Sequence, residues 1–362
     1  MKRIGMVGCG NISGAYFNHC APYKNIKIVK VADMDEARAK AVAAERGIQA
    51  VPLDAIYTDP EIDIILNLTI PQAHKDVNLK AIAAGKHAYC EKPFALTMAD
   101  AKETLAAAKA KKVLTGCAPD TVLGGGIQTC RKLIDDGVIG DLIGATAFMM
   151  CRGHESWHPS PVFYYKKGGG PMLDMGPYYV TALVTLLGPI ARISGSTRMS
   201  FPTRTITSEP LKGTIIEVET PTHLAGTIDF QCGAIGTIIT SFDVVGHQLP
   251  RIEVYGSMGT LSVPDPNAFS GEVKLLRQGT KEWEVMPHTH NVEIGRGTGV
   301  SDLAACIGKR RKPRASGELA THVLEAMLAF EASSVSGKHV KLKSKCLKPV
   351  AMKAGMQKGE MD

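Results

Sequence analysis

No apolar stretch in the sequence approaches the ~18–20 residues a membrane helix requires, which excludes a helical membrane span. The first residues carry the basic charge of a leader peptide, but glycines at 5, 8 and 10 interrupt any apolar segment behind it, and a cytoplasmic location is expected. Repeats and low-complexity runs are missing. With 44% hydrophobic and 21% charged residues in a chain of 362, disorder, collagen and coiled coil are excluded. No two of the nine cysteines (9, 20, 90, 117, 130, 151, 232, 306 and 346) are spaced C-x-x-C, and their number is odd. That argues against a disulfide frame and a cysteine zinc site, and the thiols read as reduced and mostly buried.

Charge is nearly balanced over most of the chain. Residues 1–300 hold 30 Lys+Arg against 29 Asp+Glu, whereas residues 301–362 hold 12 against 6, so the net +7 sits almost wholly at the end. The excess lies in KRRKPR (309–314) and in a lysine-rich tail after Lys338. Neither forms a basic face or a nucleic-acid-binding motif, so no nucleic-acid partner is expected, and a solvated loop and a solvated tail are.

At ~150 residues per domain, two domains are expected. Over the first 120 residues, Val- and Ile-rich runs (Arg3–Val7, Ile26–Ala32, Ile62–Leu68, His87–Cys90, Val113–Cys117) alternate with helical segments. These are Asp35–Arg46, closed by Gly47; His74–Ala84, closed by Gly85; and a segment opened by a capping box at Thr97 and running to Lys111. That alternation predicts βαβ units and a parallel, doubly wound sheet. After Pro119 a helix over Gly126–Asp135 and a strand over Leu142–Cys151 come first, and hairpins follow. The paired strands are His223–Phe230 with Ile235–Asp243, Arg251–Tyr255 with Thr260–Val263, and Val273–Arg277 with Trp283–Met286. A long helix over Glu318–Ser334 follows. The expected organisation is a Rossmann domain (1–119), an α/β domain on an open, largely antiparallel sheet (120–345) and a basic tail (346–362).

The first strand runs into GCGNIS (8–13). Gly8 and Gly10 let the backbone approach a pyrophosphate, whose charge the following helix N-terminus favours. The second strand ends at Asp33, where an acidic residue bonds the ribose hydroxyls of adenosine and repels a 2′-phosphate; NAD is therefore expected over NADP, with Arg38 able to offset the repulsion. Lys92, in CEKPF (90–94), lies at the carboxyl end of a strand, where open α/β sheets bind ligands. In GGGPMLDMGPYY (168–179), Asp174 and Tyr178 share a face if a helix begins there.

Together GCGNIS, Asp33, TIPQAH (69–74), EKP (91–93), GGGPMLDMGPYY and GSMGTL (256–261) resemble the glucose–fructose oxidoreductase/inositol dehydrogenase (Gfo/Idh/MocA) family over essentially the whole chain. The resemblance implies NAD-dependent oxidation of a secondary hydroxyl on a sugar, sugar derivative, polyol or glycoside. It assigns Gly8, Gly10, Asn11, Ile12, Asp33, Thr69, Pro71, His74 and Glu91 to the cofactor. Lys92, Asp174 and Tyr178 become the catalytic set. The most familiar family pattern has histidine where this chain has Tyr178. Glucose–fructose oxidoreductase and dimeric dihydrodiol dehydrogenase resemble this chain in having tyrosine there, so the departure does not exclude activity, while inositol specificity is disfavoured. Burial beside a cationic nicotinamide is expected to lower the Lys92 pKa. Tyr178 or Lys92 exchanges the proton, and Asp174 orients the hydroxyl.

HESWH (154–158) spells the H-E-x-x-H zinc signature, but Gly153 before it and Pro159 and Pro161 after it argue for a loop, and no metal is expected. The loop is placed to recognise substrate, with Trp157 stacking on a sugar face and Arg152, His154 and His158 bonding hydroxyls; Tyr164 and Tyr165 are similarly placed. Two alternatives remain open: an NAD-dependent glycoside-cleaving enzyme using transient oxidation, and a non-catalytic NAD/sugar sensor. An exposed sheet face in the second domain, and the family's habit, predict a homodimer or homotetramer.

Overall fold

The computed structural model describes residues 1–362. Six parallel strands, β1 (Lys2–Val7), β2 (Ile26–Ala32), β3 (Gln49–Ala50), β4 (Ile64–Asn67), β5 (His87–Cys90) and β6 (Thr115–Cys117), form a sheet of order β3-β2-β1-β4-β5-β6. The order reverses between β1 and β4, and the crevice at such a point is where α/β sheets hold dinucleotides. Helices α1 (Ser13–Cys20), α2 (Glu36–Arg46), α3 (Leu53–Thr58), α4 (His74–Ala83) and α5 (Met98–Lys111) make the crossovers. Their ends follow local chemistry. Asp35 accepts the Arg38 N–H at the start of α2, Gly47 closes it in the left-handed region, and Thr97 accepts the Asp100 N–H at 3.1 Å to open α5. The two-residue β3 and the short α3 carry too little periodicity to be legible beforehand.

The second domain contains α6 (Gly125–Asp135), β7 (Leu142–Met150), α7 (Gly170–Asp174), α8 (Gly176–Leu187) and β8 (Ile190–Arg198). A small hairpin, β9 (Thr203–Thr205) with β10 (Ile215–Glu217), precedes β11 (His223–Phe230), β12 (Ile235–Ser241), β13 (Ile252–Gly256), β14 (Gly259–Val263), β15 (Val273–Arg277) and β16 (Glu284–Met286). Leaving that hairpin apart, β7, β8 and β11 to β16 build a nine-stranded sheet with β17 (Val340–Lys341), antiparallel throughout except that β12 runs parallel to β7. All three anticipated hairpins form, as β11/β12, β13/β14 and β15/β16. α8 is buried along its whole length, and α10 (Gly317–Ser336) packs on β8. The other face is open: Ile143 and Ile235 stand 60% and 59% exposed on it.

One element was unforeseen and one expectation fails, both on packing. Helix α9 (Thr298–Cys306), unforeseen in the sequence, returns to the first domain, where Val300, Leu303 and Ala304 join the core of β1 and β2. The KRRKPR run and the tail are not simply solvated. Lys309, Arg310 and Lys312 are exposed, but Arg314 is only 2% exposed. Arg314 Nη1 donates to Asp302 at 2.6 Å, and its other donors reach the Val350 and Ala351 carbonyls and Asp362. Residues 346–362 are thereby drawn onto the body, with Met352 buried. Composition misleads here because the partner carboxylates lie far away in sequence. No helix is long and apolar enough to cross a membrane, and all nine cysteines are free thiols.

Candidate active site

Gly8 follows β1 with φ +98°, a conformation open chiefly to glycine, and a Cβ there would stand 2.7 Å from the Leu68 backbone. A Cβ on Gly10 would meet no atom within 4 Å. The turn therefore leaves free space above it rather than packing against protein. The N-terminus of α1 behind it, beginning after Ile12, has no side-chain cap and no acidic residue in its first turn. The Ser13, Ala15 and Tyr16 N–H groups are taken by the Gly10 and Ile12 carbonyls, which leaves the Gly14 N–H and the helix dipole to favour a phosphate. Asn11 is exposed and Ile12 half-buried at this turn. Asp33 follows β2 and accepts the Cys9 N–H at 2.7 Å and the Asp35 N–H at 2.9 Å, with Arg38 3.8 Å away. This donor and acceptor set fits an adenine dinucleotide.

Past β4, the Thr69 hydroxyl donates to Asn67 at 2.6 Å, and Pro71 opens a single 3₁₀ turn. His74 is a correction. It is wholly buried, with Nδ1 2.7 Å from the Pro93 carbonyl and Nε2 2.9 Å from the Thr69 carbonyl, so it has no surface for a cofactor. It ties the loop after β4 to the loop after β5. Glu91 accepts the Tyr16 hydroxyl at 2.8 Å and the Lys92 N–H at 3.0 Å, fixing the second loop to α1.

The two domains meet at Lys92. Its Nζ donates to Asp174 Oδ1 at 3.0 Å and to the Asp174 carbonyl at 2.8 Å, and stands 5.3 Å from the Tyr178 ring centre. Asp174 closes α7 and Tyr178 lies in the first turn of α8, so the break at Met175 sets both toward one pocket. Burial alone would lower the Lys92 pKa, but the Asp174 carboxylate and Tyr178 outweigh it, and the pKa lies above the ordinary lysine value. In the chain by itself the buried ammonium is thus held charged; the lowering expected beside a cationic nicotinamide concerns the loaded site. Burial would likewise raise the Asp174 carboxyl, yet His154 and Lys92 hold it below the usual carboxylate range.

The pocket has a volume of about 440 Å³, within the range of small-molecule sites. His154 and Tyr164 wall it, Trp157 stands 61% exposed at its rim, and Arg251, Asp265 and Asn267 form a polar far side. His154 is buried with neither ring nitrogen hydrogen-bonded, its Nε2 3.7 Å from Asp174 Oδ2. Arg152 is exposed and does not line the pocket, nor does His158, whose Nδ1 accepts the Ser160 N–H. Both were anticipated as substrate contacts and neither is brought there, because the turn over 154–157 directs them outward. Glu155 is bound by Arg204 and by Tyr165, which removes it from any metal role and anchors the loop.

Sequence reasoning missed Arg296. It precedes α9, and its Nη2 donates to Tyr178 Oη at 3.0 Å while Nη1 lies 3.9 Å from Glu91. The available signal was an arginine bracketed by glycines in GRGTG (295–299).

A model described as the oxidoreductase family, NAD-binding Rossmann fold, matches residues 2–118. A second, the GFO/IDH/MocA C-terminal domain, matches residues 127–262. The chain is 27% identical over 202 residues to D-xylose dehydrogenase of Paenarthrobacter nicotinovorans, a stretch covering 52% of each chain. It is 29% identical over 257 residues to D-glucoside 3-dehydrogenase of Escherichia coli, covering 66% of this chain and 70% of that one. The match to the xylose enzyme thus spans about half of that relative's length. An NAD-binding oxidoreductase from Klebsiella pneumoniae shares the fold, with TM-score 0.82 and 23% identity over 95% of this chain and 100% of the other.

Proposed function

We propose that this chain, which belongs to the Gfo/Idh/MocA oxidoreductase family and carries its NAD-binding Rossmann domain, oxidises a secondary hydroxyl of a neutral sugar or glycoside. The observation that carries the reading is the convergence of Lys92, from the nucleotide domain, with Asp174 and Tyr178, from the other, on one pocket. Bound NAD supplies the hydride acceptor; the chain's residues must place the hydroxyl and manage its proton.

Lys92 is the cation of the site. Held charged by Asp174, it stabilises negative charge growing on the substrate oxygen and on the phenol. As the phenolate, Tyr178 Oη is the immediate proton acceptor in oxidation, becoming the phenol; as the phenol it is the donor in reduction. Asp174 fixes Lys92 and, with His154, orients the substrate hydroxyl. Trp157 offers an apolar plane to the C–H face of a sugar ring, and Arg251, Asp265 and Asn267 offer donors and acceptors for its remaining hydroxyls. The names of the xylose and glucoside relatives select the first compounds to try. Incubating the chain with NAD and a panel of aldoses and alkyl or aryl glucosides should yield NADH, followed by its near-ultraviolet absorbance. Failure of every sugar and glycoside in the panel to yield NADH would sink the proposal.

A further inference from the structure

We infer that Arg296 is the positioning residue of the proton transfer: it makes the Tyr178 phenol oxygen an acceptor and thereby leaves the phenol's own hydrogen for the pocket. The inference rests on the reading of Tyr178 as the proton-exchanging group.

A guanidinium has five N–H donors and no acceptor, so in the 3.0 Å contact between Arg296 Nη2 and Tyr178 Oη the phenol must accept. Tyr178 Oη makes no other hydrogen bond within the chain. Its hydrogen therefore has no protein acceptor, and the space it borders is the pocket lined by Lys92 and Asp174. The guanidinium carbon lies 5.5 Å from the Tyr178 ring centre and Lys92 Nζ 5.3 Å, so two cations attend one phenol. A phenolate formed there is met by a charge-assisted hydrogen bond on one side and an ammonium close by.

The loop that carries Arg296 is built to hold it still. A Cβ on Gly295 would stand 2.4 Å from the His19 ring, so the backbone presses directly on α1. Gly297 has φ +105°, and its N–H and that of Gly299 donate to Asp120 Oδ2 at 2.9 and 3.0 Å. Asp120 is wholly buried. Preorganisation of this kind is what a positioned group requires. Arg296 Nη1 is buried without a hydrogen-bond partner. The phenol is the guanidinium's one hydrogen-bond acceptor, with Glu91 next at 3.9 Å from Nη1. The charged and titratable groups around the pair are Lys92, Asp174 and Tyr164 beside Tyr178, and Glu91, Asp120 and Tyr16 beside Arg296.

The test needs no known substrate. Ultraviolet difference titration of the full chain against its Tyr178→Phe variant isolates the Tyr178 phenolate. Repeating it in an Arg296→Met background should move the midpoint to higher pH by about one unit or more, since an opposite charge at this distance shifts a titration by that much. Arg296→Lys, which keeps the charge, should restore most of the shift. Arg296→Met also leaves Glu91 and the buried Asp120 without its charge, so its melting temperature should fall and Arg296→Lys should recover it, while NADH binding should change little. On the identified substrate, Arg296→Met should lower kcat about a hundredfold and add nothing further to Tyr178→Phe, because both act on one group. An unchanged midpoint in Arg296→Met overturns the inference; should that variant not fold, Arg296→Gln carries the same reading. A shifted midpoint in a chain that oxidises no sugar would uphold the Arg296–Tyr178 link and overturn the dehydrogenase reading instead.

Discussion

Lys92 Nζ and Asp174 Oδ1 stand 3.0 Å apart although 82 residues separate them in sequence and they belong to different domains. Each side chain is 19% exposed, so the pair is nearly dry yet open to the pocket. Neither partner could be buried alone in its charged form without a large desolvation cost. The domains are thus joined at residues that line the pocket.

That pairing has a pH signature. The Lys92 pKa is raised, so its contribution to stability is full below the ordinary lysine value of about 10.4 and is lost as pH climbs through the folded value. The Asp174 pKa is lowered, so its contribution is full above about 3.9 and is lost as pH falls through the folded value. Lys92→Met, which leaves Asp174 buried without its ammonium, should cost about 2–3 kcal/mol near neutrality. Denaturant titrations should show the gap from wild type narrowing below about pH 4 and above about pH 10. A gap independent of pH would mean that the lost stability is packing alone.

Arg314 tests the tail. It is buried and bonded to Asp302, Asp362 and two carbonyls of the 350–351 segment. Arg314→Met keeps the volume but leaves Asp302 buried with only Arg311 to answer it, and should cost about 3–5 kcal/mol of unfolding free energy. Urea denaturation checks this, and limited proteolysis should cut the variant after residue 346 while wild type resists. A freely solvated run would tolerate the change with a loss under about 0.5 kcal/mol.

What was legible in the sequence was local. Strand–helix alternation, the caps at Thr97 and Gly47 and the hairpin turns each depend on residues a few positions apart, and the structure contains each of them. Lys92 and the Asp174–Tyr178 turn stood out through their motifs, and the chain brings them together. Arg296 and Arg314 were not legible, because their meaning lies in contacts with Tyr178, 118 residues away, and with Asp362, 48 residues away. A charge run looks the same in one-letter code whether its guanidinium meets water or a buried carboxylate. His74 was misread for a related reason: its motif placed it near the cofactor, but only the fold turns both ring nitrogens onto carbonyls.

Asp33 should decide between the two nicotinamide dinucleotides. Its carboxylate is held by the Cys9 and Asp35 N–H groups at the end of β2, where it would bond a ribose diol and repel a 2′-phosphate. Calorimetric titration should show tighter binding of NAD than of NADP. Asp33→Ser should shrink the ratio by about tenfold or more, with nearby Arg38 then free to take the phosphate. Equal affinities in the wild-type chain would remove the assignment.

Tyr178→Phe is the sharpest test of the chemistry, because it removes one oxygen and keeps the ring. The ring is 5% exposed and packs in the main core of the second domain, so its loss would unfold the site, whereas loss of the hydroxyl frees only one Arg296 donor. If the hydroxyl exchanges the substrate proton, kcat should fall at least about a hundredfold, with KM and NADH affinity within about twofold. Lys92→Ala should fall further on the same substrate, since it removes the cation that stabilises both the phenolate and the substrate oxygen. In the double variant the losses should not add, because the two residues act on one proton. Near-normal kcat in Tyr178→Phe would make the tyrosine a core ring and pass the proton to Lys92, which must then give up the charge that Asp174 holds on it.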